Sequence, residues 1–244
     1  APLLFLPGPP PPPTPGRNGF WGSATPPPGD RPPPIHTPLH EPRHEIEESL
    51  AQFRARPLER LRALGAVGPR LIAVHAVHMN EEEIELLARS NASVAHCPSS
   101  NLKLASGFAP IAAMLERGVN IGIGTDGGAS NNRLDLFQEM RTAALLAKAV
   151  ANDAEAVPAH QALAAGTLNG ARALGLDAAI GSIAPGKLAD LCAVAIEPPE
   201  LAPCYDPVSH LAYSAGREHV TDGWVAGRAR VRKRALVGFD HARL

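Results

Sequence analysis

Hydrophobic and polar positions switch between two periods along most of this chain, and the switches mark out its elements. In "HEIEESLAQFRA", residues 44 to 55, the spacing predicts a helix, and Pro57 opens a second one in "PLERLRALG", closed by Gly65. "RLIAVH" is then a short apolar strand ending on His75. "NEEEIELLARS" sets Asn80 at an N-cap with Glu83 three residues on, the reciprocal pattern of a capping box, so another helix follows. "ASVAH" is a strand ending on His96. "PIAAMLERG" has proline near its start and glycine past its end, which makes it a helix, and "VNIGIGTD" is a strand ending on Asp126. "LDLFQEMRTAALLAKAV" and the region from Pro158 to Leu174 read as helices with Ala and Leu packing faces. This β/α alternation with short connections predicts an α/β fold of parallel strands with helices packed outside them. The end of the chain changes character: "ADLCAVAI" and "HVTDGWVAGRARVRK" read as strands, the latter turning at Ala226-Gly227.

Proline distribution sets the first boundary. Of 26 prolines, 16 fall in the first 42 residues, and each removes a backbone donor and fixes φ. Residues 1 to 34 are therefore expected to form a disordered or polyproline-like tail, a solvated segment before it is a ligand for a proline-binding groove. Residues 35 to 185 carry the β/α units, and 186 to 244 form a β-rich appendage with one helix. The chain has 244 residues, 45% of them hydrophobic, enough for one sizeable core and typical of a single α/β barrel.

Charge and cysteine usage narrow the class of partner. A formal net charge of -1 with no basic block argues against nucleic acid and against an anionic membrane, and favours a small-molecule or protein partner. Cys97, Cys192 and Cys204 are odd in number and lack C-x-x-C spacing, which points to a reducing compartment, with the cytoplasm expected. The run Leu3 to Leu6 is too short for a signal-peptide core, and nothing later reaches membrane-spanning length.

Candidate chemistry gathers at strand ends. His75, His96 and Asp126 stand 21 and then 30 residues apart, each at the carboxyl end of a strand, where barrel enzymes place their catalytic groups. One such histidine is uninformative, but three groups in successive units point to a site. A competing pattern is His40-Glu41-Pro42-Arg43-His44, which matches the H-E-x-x-H signature of zinc proteases. That reading needs one helix through all five residues, and Pro42 between the two ligands opposes it. His78 and His160, without motif support, are expected to face solvent.

The segments "HCPSSNLKLASGFAPIAAMLERGVNIGIGTDGGASNN", "LDLFQEMRTAALLAKAV" and "GSIAPGKLADLCAV" resemble the carboxyl half of the metal-dependent amidohydrolase superfamily. Within it, the triazine hydrolase and methylthioadenosine/S-adenosylhomocysteine deaminase branch is the most similar, over about residues 43 to 237. The resemblance implies part of a (β/α)8 TIM-type barrel with a small β-rich appendage. It also implies zinc or another divalent metal, and hydrolysis of a C–N or C–Cl bond on an aminated heteroaromatic ring of the purine nucleoside or triazine class. Asp126 matches the strand-8 aspartate that ligates metal and takes a proton from water. His75 matches the strand-6 histidine that touches the attacked centre or a second metal. Glu41, in "LHE", matches the strand-5 glutamate that shuttles a proton; His40 and His44 are then lining or surface groups.

Two departures accompany the resemblance. Pro38 occupies the strand-5 metal-ligand position, and the family's H-x-H pair on strand 1, with strands 1 to 4, has no counterpart in the sequence. An incomplete barrel leaves strand edges open, so self-association is expected. The alternative function is a non-catalytic remnant of that family, serving only as a folding or association module.

Overall fold

The structure is a computed structural model that describes Leu3–Leu4 and residues 33–238. Strand β1 is Leu3–Leu4, and β2 is Ile35–Leu39. Helices α1 (Arg43–Phe53) and α2 (Pro57–Ala63) lead to β3 (Leu71–His75), and α3 (Glu81–Arg89) leads to β4 (Ser93–His96). Helices α4 (Pro98–Lys103) and α5 (Ile111–Glu116) precede β5 (Asn120–Ile123). Then come α6 (Leu136–Ala151), α7 (Ala159–Ala165), α8 (Leu168–Ala173) and β6 (Leu191–Val194). Helix α9 (Pro207–Tyr213) and strands β7 (Val220–Val225), β8 (Arg228–Arg232) and β9 (Ala235–Leu236) close the described chain.

Strands β2, β3, β4 and β5 form one parallel sheet in chain order, with Ile35 opposite Leu71, Ile72 opposite Ser93, and Ser93 opposite Asn120. Sequential order is what short β/α connections produce. One face of this sheet is apolar because Leu71, Ala73, Val94 and Ile121 alternate inward, and they pack against Ile84 and Leu87 of α3 and Ile111 and Met114 of α5. The opposite side receives α8. A Cβ on Gly122 would lie 3.3 Å from the Gly170 Cα, so the backbones of β5 and α8 meet with no room for a side chain. Asn120 spans this contact, its Nδ2 donating to Ser93 Oγ and to the Asn169 carbonyl, each at 3.0 Å.

The second sheet is antiparallel, in the order β1-β6-β7-β8-β9. Ala226 and Gly227 join β7 to β8 with φ of 49° and 74°, the left-handed pair that a tight hairpin demands. Phe137 and Met140 of α6 pack with Cys192, Val194 and Leu211, fastening this sheet and α9 to the parallel unit.

Several expectations shift. The expected helix at 44 to 55 ends at Phe53, because Arg54 turns left-handed with φ 55°. The region from Pro158 to Leu174 is two helices, broken at Gly166 and Thr167. Strand β5 stops at Ile123, so Asp126 lies three residues past it, on a loop. Within the expected tail, Leu3 and Leu4 pair antiparallel with Ala193 and Cys192, while residues 5–32 lie outside the described residues. Among the described residues the parallel sheet has four strands and stays open, the number expected of an incomplete unit. Among the described residues, no helix is long and apolar enough to cross a membrane.

Candidate active site

The carboxyl ends of the strands carry unusual backbone. His40, just past β2, has φ 53°, His75 at the end of β3 has φ 70° and its neighbour Ala76 47°, and Asp126 has φ 60°. Left-handed conformations on non-glycine residues cost about 1–3 kcal/mol each and persist only where surroundings impose them. Here the surroundings are identifiable. His40 is fully buried, and its Nε2 accepts the Leu58 N–H at 3.3 Å. That leaves the proton on Nδ1, which lies 3.4 Å from Glu83 Oε2. Arg56 grips the same carboxylate, Nε to Oε1 at 2.7 Å and Nη2 to Oε2 at 2.8 Å, and donates from Nη2 to the His78 carbonyl at 2.6 Å. Burial alone would raise the Glu83 pKa, but the His40 imidazole, the Arg56 guanidinium and the Asn80 N–H outweigh it and bring it to about 2.

This disposes of the protease pattern and corrects two histidines. His40 is neither a lining nor a surface group but a buried tether, whereas His44 is exposed on α1 and Pro42 is that helix's N-cap. His78 is half-buried rather than solvent-facing, with Nε2 2.8 Å from the Ser106 carbonyl; burial and the neighbouring Arg43, His40 and Arg56 charges lower its pKa, against that bond. His160 is exposed, as expected.

Glu41 and His75 meet. Glu41 Oε2 lies 3.6 Å from His75 Nε2, while Glu41 Oε1 accepts from Ser106 Oγ at 3.2 Å. On the far side of the ring, His75 Nδ1 bonds Asn101 Oδ1 at 2.8 Å. A carbonyl oxygen only accepts, so His75 Nδ1 carries a proton, and Nε2 is the ring atom turned toward Glu41. Asp126 is exposed, and both Ser100 Oγ and Ser130 Oγ donate to its Oδ2 at 2.6 Å. Desolvation opposes ionisation there, but these two bonds, the Gly127 N–H and the His75 charge prevail and hold the carboxyl below its ordinary range.

Segment 97–107 ties these groups together. Ser100 holds Asp126, Asn101 holds His75 and Ser106 holds Glu41, and all three are buried. Buried Glu139 of α6 anchors the segment, accepting from the Ser99 N–H at 3.0 Å and from Asn131 Nδ2 at 2.9 Å. The available signal was a Ser-Ser-Asn run set between two apolar strands, where polar residues must find partners. Cys97, in the same segment, is no nucleophile: burial first, then the Asp126 and Glu139 charges, push its thiol up to about 12. His96 is buried behind His75 rather than on the rim, and burial and the His75 charge lower its pKa to about 3, so it is neutral.

For a metal ion the donor set falls short. Among the described residues, no three or more His, Cys, Asp or Glu side chains gather closely enough to hold one. Pro38 lies in β2 opposite Val74 and has no donor atom to offer, and both Asp126 and His75 already have protein partners. A catalytic zinc takes about three protein ligands.

A parallel β/α unit with a carboxyl, an imidazole and an aspartate at its strand ends defines a class: α/β proteins with an acid–base site on the carboxyl rim of the sheet. Comparison with known proteins makes this specific. The chain belongs to the amidohydrolase family, whose model matches residues 31–230. It is 48% identical over 202 residues to a 5-methylthioadenosine/S-adenosylhomocysteine deaminase of Teredinibacter turnerae, covering 83% of this chain and 46% of that protein. It is 47% identical over 198 residues to a 5'-deoxyadenosine deaminase of Methanothermobacter thermautotrophicus, covering 81% and 46%. Among solved structures, an adenosine deaminase of Xanthomonas campestris with bound zinc superposes with a TM-score of 0.85 at 53% identity, over 86% of this chain and 48% of that one. An atrazine chlorohydrolase of Arthrobacter aurescens in complex with zinc gives 0.81 at 26% identity, over 86% and 47%. The chain thus spans about half the length of the curated relatives it matches.

Proposed function

We propose that these residues serve a hydrolytic deaminase, acting on the amino group of a purine nucleoside of the methylthioadenosine/S-adenosylhomocysteine type. The observation that carries this reading is the pairing of Glu41 with His75, 3.6 Å apart, beside an aspartate held as carboxylate. In such a reaction water adds to the ring carbon, the C–N bond breaks, a carbonyl remains and ammonia leaves. Asp126 is suited to take the proton of the attacking water, because the Ser100 and Ser130 hydroxyls on Oδ2 and the Gly127 N–H hold it as the carboxylate. Glu41 is suited to carry a proton to the ring nitrogen and then to the departing amine, with Ser106 holding Oε1 and Oε2 turned inward. His75 Nε2 and Glu41 Oε2 face each other at 3.6 Å, so a proton can be shared between them.

The relatives' names support the deaminase class over a non-catalytic remnant, and identities of 47–48% to the two deaminases against 26% to the chlorohydrolase favour C–N over C–Cl cleavage. Zinc is the proposed ion, on the strength of the zinc in both solved structures. Asp126 and His75 are the donors this chain offers it, as one part of a barrel site.

The test supplies zinc and offers 5'-methylthioadenosine, S-adenosylhomocysteine and adenosine to the purified chain, following ammonia release. Ammonia release is expected only with zinc in excess, because the donors of this chain fall short of three, and Glu41→Gln should lower it about 10²–10⁴-fold, the usual share of a general acid–base group, with unchanged circular dichroism. A folded chain with bound zinc that releases no ammonia from any of the three would sink the proposal.

A further inference from the structure

A formal net charge of -1 averages over an uneven chain. Between Asp222 and Asp240 the sequence carries five cations, Arg228, Arg230, Arg232, Lys233 and Arg234, and no acid. All five are exposed, on β8 and on the turn that joins it to β9, with half-buried Ala229 and Val231 between the arginines of the strand. Acidic neighbours are few. Asp222 Oδ1 accepts the Lys233 backbone N–H at 3.3 Å, and Glu200 lies in the field of Arg234, but among the described residues no carboxylate pairs with the side chains of Arg230, Arg232 or Lys233.

Folding does not call for this arrangement. No residue from Val225 to Gly238 belongs to the buried apolar core. Like charges crowded on one strand and its turn repel, and a surface that serves only solubility mixes both signs. Three aliphatic side chains are exposed beside them: Val225 opposite Arg228, Leu236 opposite Val231, and Val237, whose N–H donates to the Arg230 carbonyl.

We infer that this hairpin is a docking surface for an anionic lipid bilayer, with its arginines on headgroup phosphates and Val225, Leu236 and Val237 entering the headgroup boundary. Charge complementarity sets the sign of the partner, and the guanidinium fork suits phosphate. The apolar residues set its kind. A single-stranded nucleic acid is held by aromatic rings as well as by cations, whereas the exposed apolar residues here are aliphatic and Trp224 of β7 is half-buried. So small an apolar contact gives reversible recruitment rather than permanent anchoring. The inference stands apart from the deaminase reading, since none of these residues enters the candidate site.

Flotation of the full chain with lipid vesicles tests it, because protein that has merely self-associated does not float. The chain should rise with vesicles of phosphatidylcholine mixed with phosphatidylserine and stay below with phosphatidylcholine alone. Salt at about 1 M, where the screening length falls to about 3 Å, should release it. Joint Arg230→Ser and Arg232→Ser should lower partitioning about 30-fold, roughly fivefold for each cation near an anionic surface, with unchanged circular dichroism. Joint Val225→Ser and Val237→Ser, which leaves the charge alone, should weaken it too, as a purely electrostatic contact would not. Equal flotation with both kinds of vesicle, flotation with neither, or full retention by either double variant overturns the inference. So does a fluorescent oligothymidylate that binds the chain and strips it from the vesicles, the behaviour of a nucleic-acid surface.

Discussion

Glu83 shows how one residue can serve two purposes of which only one is local. Its role in the capping box was legible in the sequence, because Asn80 and Glu83 are three residues apart and the geometry of one helical turn makes them meet. Its role as anchor for Arg56 and His40 was not, since those partners lie 27 and 43 positions upstream and reach it only after β2 and β3 pair. The consequence is a pH dependence with a definite sign. The folded pKa of about 2 lies below the ordinary 4.5, so the stabilisation is fully present above the ordinary value and is lost as pH falls through the window between them. Arg56→Met should strand a buried carboxylate, cost about 3–5 kcal/mol near neutral pH, and flatten the acid-side loss. Urea unfolding at several pH values measures both. A change under about 1 kcal/mol, the range of an ordinary surface pair, would show that the tether holds nothing.

At the scale of elements, legibility followed the range over which each signal acts. Helix α3 was visible because its cap and its apolar stripe of Ile84 and Leu87 are both contained within it. Removing the cap by Asn80→Ala deletes the acceptor of the Glu83 N–H, 2.9 Å away, and should cost about 1 kcal/mol in denaturant unfolding, with no change in zinc uptake. A loss of several kcal/mol would mean that Asn80 also supports the Arg56 tether. Helix α4 was invisible for the opposite reason. It has six residues, and its buried face is polar, so no hydrophobic period announces it. Its order comes from Ser100 and Asn101 bonding Asp126 and His75, partners 26 residues away in either direction. The strand ends were readable from β/α alternation, yet the positive φ values that aim them were not, because His40, His75 and Asp126 are not glycine.

At the scale of the molecule, the site spreads across the whole parallel sheet. Glu41 follows β2 at one edge, Asp126 follows β5 at the other, and His75 ends β3 between them. Three strand spacings in a flat sheet would separate the edges by about 14 Å. Ser106 nevertheless bonds Glu41 and Ser100 bonds Asp126, so the short segment after β4 links the two ends, which the twist of the sheet draws together. The same topology leaves a liability. Among the described residues β2 and β5 each pair on one side only, and unpaired parallel edges are templates for another chain. Pro38 blunts the β2 edge, as a residue with no N–H to offer, whereas Asn120–Ile123 of β5 has no such blocker. Self-association through the β5 edge is therefore the expected behaviour, with sedimentation coefficients that rise with concentration. A single species of monomer mass throughout the concentration range would show that the edge is covered, and would direct attention to what covers it.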